Sequence, residues 1–227
     1  MALSNYTELQ TAVQTELKFS EAGFVAAIPD MILRAEAKIN RRVRLREMEN
    51  LSTDTYAAAT TSLADRSMDL PTGYIELINL EHKVATADDT TYEPVIYVDP
   101  NQIHKYYEAS TAGELRYTLR QNIEYNAPVG VDHTIRFHYL KKWDIATDTT
   151  NWLLTNYPDV YLYGALSEAE GFLRNDQRIP LWKGMFALGL DDLDKLSERG
   201  RDDSELDVSE VGYMAGTGFG YNILTGR

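Results

Sequence analysis

The chain is 227 residues long and 44% hydrophobic, with a net charge of −13, enough for one large domain or two small ones with a proper core. It contains no cysteine, which excludes disulfides, thiolate metal ligands and thiol nucleophiles, and its acidity argues against a general nucleic-acid binder. No run of about 18 apolar residues exists, so no membrane span is expected, and the opening MALSNYTELQ lacks the basic-then-apolar pattern of a secretory signal.

In chain order, Ser4 or Asn5 can cap a first helix reaching about Lys18, with Leu9, Val13 and Leu17 as its apolar stripe. A second helix is predicted from about Phe24 to Val43, with Ile28, Met31, Ile32, Ala35, Ile39 and Val43 on one face. Pro29 offers an alternative start, with Phe24–Ile28 as an approach segment. Arg34, Lys38, Arg41 and Arg42 lie away from the stripe.

From about Arg46 to Trp143 the period changes to alternation. Ser67–Leu70 alternates before a Pro71-Thr72-Gly73 turn, and Ile75, Leu77 and Leu80 belong to a strand through Val84. Val95 and Tyr97 sit in a further extended piece, and Asp99 and Pro100 open a short helix ending near Glu108. Leu115, Tyr117 and Leu119 alternate with polar residues, as do Ile135, Phe137 and Tyr139. Short strands with one apolar face suggest an antiparallel sheet or a small barrel.

Helical periodicity returns over Asn151–Leu173. Asn156 is a candidate cap, Pro158 suits a first turn, and Asp159 suits the positive helix start. Leu162, Ala165, Leu166, Ala169, Phe172 and Leu173 form one buried face. Gly164 and Gly171 lie on another side, flanked by Tyr161 and Tyr163. Because glycine costs roughly 1 kcal/mol against alanine inside a helix, this helix is expected to have close neighbours on more than one side. Asp176 can cap a last helix with Ile179, Trp182, Phe186, Leu193 and Leu196 as its stripe. The expected class is α+β: a helical bundle from residues 1–45 and 151–200, interrupted by a β-rich insertion at 46–150. An extended acidic, glycine-rich tail follows at 201–227.

Charge is segregated. Arg34, Lys38, Arg41, Arg42, Arg44 and Arg46 cluster near the second helix, while Asp191, Asp192, Asp194 and Glu198 lead into an acidic C-terminal part. Opposed patches suit head-to-tail contacts between identical subunits; ordinary solvated helix faces are the alternative.

The segments IPDMILRAEAKINRRVRLREME (28–49), DLPTGYIELINL (69–80) and NWLLTNYPDVYLYGALSEAEGFL (151–173), in this order, resemble the head-to-tail adaptor (connector) family of short-tailed bacteriophages. The resemblance covers most of residues 28–196. It implies a non-enzymatic virion protein at the head–tail junction, assembled in the host cytoplasm. Copies would form a ring, typically twelvefold in this family, between the portal protein and the tail nozzle protein. DNA would pass through the centre without specific binding; no cofactor, metal or membrane is implied. The C-terminal tail would reach a portal groove, with Tyr213, Phe219 and Tyr221 as docking anchors; a frayed terminus is the alternative. Arg34, Lys38, Arg41 and Arg42 are candidate charged contacts with portal or neighbouring subunits. Tyr161, Tyr163, Gly164 and Gly171 are a candidate close-packed face, within the bundle or between subunits.

Enzymatic readings find less support. The four histidines are scattered without metal-ligand spacing, and His138 on an alternating strand reads as solvated or paired. The Gly216-x-Gly218-x-Gly220 run has no preceding strand or following helix. A glycoside hydrolase using Glu168 with Glu170, or either with Asp159, is one alternative, although residues two apart on a helix point in different directions. A nucleic-acid module using the basic helix is another, opposed by the total charge.

Overall fold

The computed structural model describes residues 3–18, 20–55, 66–84, 91–108, 114–127, 133–171, 173 and 177–202. Helix α1, Tyr6–Leu17, starts at Asn5, whose side chain accepts from Glu8 N at 3.0 Å, while the Glu8 carboxylate takes both N and Oγ of Ser4. These bonds satisfy amides that a helix start leaves open. Leu9, Val13 and Leu17 are buried as their spacing requires.

Helix α2 is Ala22–Arg42 and runs straight through Pro29, so Pro29 is not the helix start. Glu21 O accepts from both Phe24 N and Val25 N, establishing the helix two turns earlier. Pro29 is exposed, on the side where solvent can satisfy the carbonyl that proline leaves unbonded. All six stripe residues of α2 are buried.

Two four-stranded sheets follow. The first has the order β1–β8–β3–β4, from β1 (Glu49–Thr55), β8 (His133–Lys141), β3 (Tyr74–Val84) and β4 (Glu93–Pro94), all antiparallel. The second has the order β2–β7–β6–β5, from β2 (Ser67–Met68), β7 (Ile123–Tyr125), β6 (Arg116–Leu119) and β5 (Ile96–Tyr97). The pair β5–β6 is parallel, a departure from the antiparallel expectation. Its cause is local: Val95 N bonds Leu80 O of the first sheet, and Ile96 N immediately bonds Leu115 O beside the second. Leu80, Ile135, Phe137 and Tyr139 from one sheet and Ile123 and Tyr125 from the other share one core with Val95 and Leu115.

Gly73, at φ +78°, closes the turn into β3, a conformation that favours glycine. The predicted short helix at 99–108 is a turn followed by a single 3-10 turn at Ile103–Tyr106. Asp99 spends its side chain on Asn101 N at 2.8 Å, an Asx turn that competes with helix continuation. On β6, Thr118 is fully buried although the alternation placed it on the polar face.

Past β8 come α3 (Ile145–Asp148), α4 (Trp152–Asn156), α5 (Pro158–Ser167), a 3-10 turn at Glu168–Gly171, and α6 (Arg178–Asp202). The continuous helix expected over 151–173 is therefore three elements. Asn151, not Asn156, is the cap: its Oδ1 accepts from Leu154 N at 2.8 Å. Asn156 ends α4, and its Nδ2 donates back to Trp152 O. Pro158, unable to donate, breaks α4 from α5 and opens α5 at a position where no amide is needed. Ile179, Trp182, Phe186, Leu190 and Leu193 of α6 are buried. Residues of α1, α2, α5 and α6 line a second core, joined by Leu140 and Trp143 at the exit of β8.

Candidate interaction surfaces

A buried polar joint ties the helices to the exit of the sheet. Glu36 on α2 is 3% exposed; its Oε1 accepts from Ile145 N at 2.9 Å and from Tyr161 Oη at 2.8 Å. Asn151 Nδ2 donates to the same Tyr161 oxygen at 2.7 Å. One turn further along α2, Asn40 clamps Trp143 at both backbone groups, accepting from its N at 3.0 Å and donating to its O at 2.9 Å. Burial pushes the Glu36 carboxyl up to about 7, against the opposing pull of its two donors. Burial and the neighbouring carboxylate push the Tyr161 hydroxyl up as well, so it stays a neutral donor. Sequence reasoning passed over Glu36, yet the signal was present. It stands four residues from Ile32 and seven from Val43, on the buried stripe, where a carboxylate requires partners.

The predicted contact residues separate into two sets. Tyr161 is fully buried and Gly164 is buried, so both are committed inside their own chain. A Cβ at Gly164 would stand 3.0 Å from Ala35 Cβ and 3.0 Å from Phe186 Cε2; the close approach is α5 wedged between α2 and α6. Tyr163 is half-buried against the helical core, and Gly171 closes the 3-10 turn after α5. Of the stripe around them, Leu166, Ala165, Ala169 and Leu173 are buried, and Leu162 is partly so.

Lys38 and Arg42 are engaged within the chain. Lys38 bonds Glu168, and Arg42 bridges Asp191 and Asp194, the latter at 2.8 Å. Part of the basic cluster thus meets part of the acidic one on a single molecule. Arg34 and Arg41 remain exposed on the back of α2, with the Arg41 Nε returning to Ala37 O. Tyr213, Phe219, Tyr221, Phe172 and the cap Asp176 lie outside the described residues.

Among the described residues, exposed apolar side chains gather on α6 and beside β5. On α6, Leu181 (63% exposed), Met185 (40%) and Leu188 (61%) form a stripe turned away from the core. On the β side, Ile96, Tyr97, Tyr106 and Tyr107 are exposed around edge strand β5. Tyr97 packs edge-on to Tyr117 at 5.6 Å, and the Arg116 and Arg66 guanidinium groups lie over Tyr106 and Tyr107 at 4.1 and 4.6 Å. These stackings hold the aromatic rings in place at the surface.

Among the described residues no cluster of His, Asp or Glu is arranged to hold a metal ion, and no helix is long and apolar enough to cross a membrane. His138 is paired with Glu49 at 3.3 Å and His82 with Glu93 at 3.8 Å. Glu168, half of the carboxylate pair weighed for hydrolysis, is bound by Lys38, and Asp159 is exposed at the start of α5.

An α+β chain whose polar groups knit its elements together, and whose open features are a helix stripe and a tyrosine-rich edge, has the surface of a protein that works through contacts. The comparison with protein families gives that class its particular member. The chain belongs to the SU10 adaptor protein family, whose model matches residues 4–209. It is a phage head–tail adaptor, a structural component of the virion. No curated protein matches it.

Proposed function

We propose that this adaptor forms a ring between the portal and the tail nozzle, with a central passage for DNA. The family match over residues 4–209 is the observation that carries the reading. In this reading the helices of residues 1–45 and 151–200 act as one bundle interrupted by the 46–150 insertion, and the shared core of α1, α2, α5 and α6 supports that division. The bundle meets portal and neighbouring adaptors, and the β-rich insertion faces the tail, where its exposed tyrosines suit a protein partner. Residues 201–227 form a docking tail, anchored in a portal groove by Tyr213, Phe219 and Tyr221.

The charge of −13 per chain is multiplied in a ring. An acidic channel wall repels phosphate, so DNA slides through without salt-dependent attachments that must be broken during ejection. Mixing the full chain with the portal of the same virus and imaging the product by electron microscopy tests the assignment. Rings capping the portal are expected, in the twelvefold form typical of the family; persistent non-association would overturn it.

A further inference from the structure

Helices α2 and α6 run in the same direction at matched heights, and three ties fix their offset. Ala35 and Phe186 flank the same point at Gly164, an offset of 151 residues. Arg42 reaches Asp191 and Asp194, offsets of 149 and 152. Ser197 Oγ donates to Arg44 O, an offset of 153. With equal rise per residue along both helices, Leu33, Ala37 and Arg41 on the back of α2 lie level with Gly184, Leu188 and Asp192 on α6. Leu33 is 57% exposed, and Ala37 and Arg41 are exposed with it.

The two rows are complementary. Leu181, Met185 and Leu188 line one flank of Gly184 and the small Pro180 and Ala187 the other, and a Cβ added at Gly184 would meet nothing within 4 Å. That makes a shallow notch in an apolar stripe, at the height of the projecting Leu33. Arg34 and Arg41 meet no carboxylate among the described residues, whereas Asp192 answers only Lys195, in an exposed pair at 3.0 Å. Cyclic symmetry keeps every subunit at one height, so level features on one copy are level with those of its neighbour wherever the helices stand along the ring axis.

We propose that the α6 stripe is the seat for the back of α2 from a second copy of this chain. Leu33 enters the Gly184 notch beside Leu181 and Leu188, Ala37 lies against Leu188, and Arg41 pairs with Asp192. The contact is heterologous: one surface of α6, a different surface of α2, repeated around a ring. It rests on the ring reading above and names the surfaces that close it.

The absence of cysteine gives a clean test. Leu33→Cys and Gly184→Cys chains are prepared separately, each substitution lying on an exposed position. Both are assembled with the portal, alone and mixed, then mildly oxidised and run on a non-reducing gel, while imaging counts rings. A crosslinked dimer in the mixture, absent from either chain alone, is the expected result. Dimers from one variant alone would mean an isologous contact and would overturn the seat. Rings that form without crosslinks would overturn the seat while leaving the ring reading intact; failure of the wild-type chain to form rings would overturn both. Independently, Arg41→Glu is expected to lose ring formation and Asp192→Arg in the same chain to restore it; loss without restoration would count against the pairing.

Discussion

Glu36 gives the sharpest quantitative prediction. Its carboxyl is raised from 4.5 to about 7 by burial between α2, α5 and the start of α3. The charged groups that act on it are Asp144, which raises it further, and Lys142, which opposes. Because the folded state holds the proton more tightly than the unfolded chain, stability from this group is fully present below pH 4.5. It is lost as pH rises towards 7. At about 1.4 kcal/mol per unit the whole effect is roughly 3 kcal/mol, most of which falls between pH 5 and 8. Glutamine mimics the protonated acid and does not titrate. Urea unfolding of wild type and Glu36→Gln at pH 5, 6, 7 and 8 reads the term as the change in their stability difference, in which the titration of the other carboxylates cancels. Wild type is expected to lose roughly 2 to 3 kcal/mol relative to the variant across that range. A difference that stays flat, or one that grows in favour of wild type as pH rises, would refute the buried joint.

Other expectations concern the helices. Gly164→Val should destabilise by about 2 kcal/mol or more, because its side chain must displace Ala35 and Phe186, whereas Gly184→Ala, with open space around it, should raise the melting temperature slightly through helix propensity of roughly 0.5–1 kcal/mol; calorimetry on both separates the crowded glycine from the free one. Asn151→Ala removes the α4 cap and the Tyr161 bond together, and should cost about 2 kcal/mol in urea unfolding. Arg42→Ala breaks two exposed ion pairs with Asp191 and Asp194, so less than about 1 kcal/mol is expected, and high salt should shrink the difference.

Helix faces were legible at high fidelity where one period ran unbroken. The stripes of α1 and α2, and the Ile135–Phe137–Tyr139 alternation of β8, are buried as written. Errors arose where a local rule met a competitor. The helix read from about Phe24 to Val43 is α2, and the alternative start at Pro29 falls because an upstream turn on Glu21 already establishes the helix. Asn156 reads as a cap, yet Asn151 is followed by enough chain for its own turn, and Pro158 then divides the segment. Thr118 reads as solvent-facing, but it is the one fully buried residue of β6.

The sequence by itself determined most of each apolar face and that no thiol chemistry is available, because periodicity and composition act over one or two turns; three segments carried the family resemblance. Tertiary structure alone decided what each face meets. Lys38 finds Glu168 and Arg42 finds Asp191 and Asp194 across separations of 130 to 152 residues, in ion pairs that stay at the surface of the chain. Glu36 finds Ile145 and Tyr161 across 109 and 125, and Gly164 finds both flanking helices at once. A repeat in sequence encodes that a side chain will be covered; only the packed chain, which brings distant segments to within 3 or 4 Å of one another, fixes what covers it.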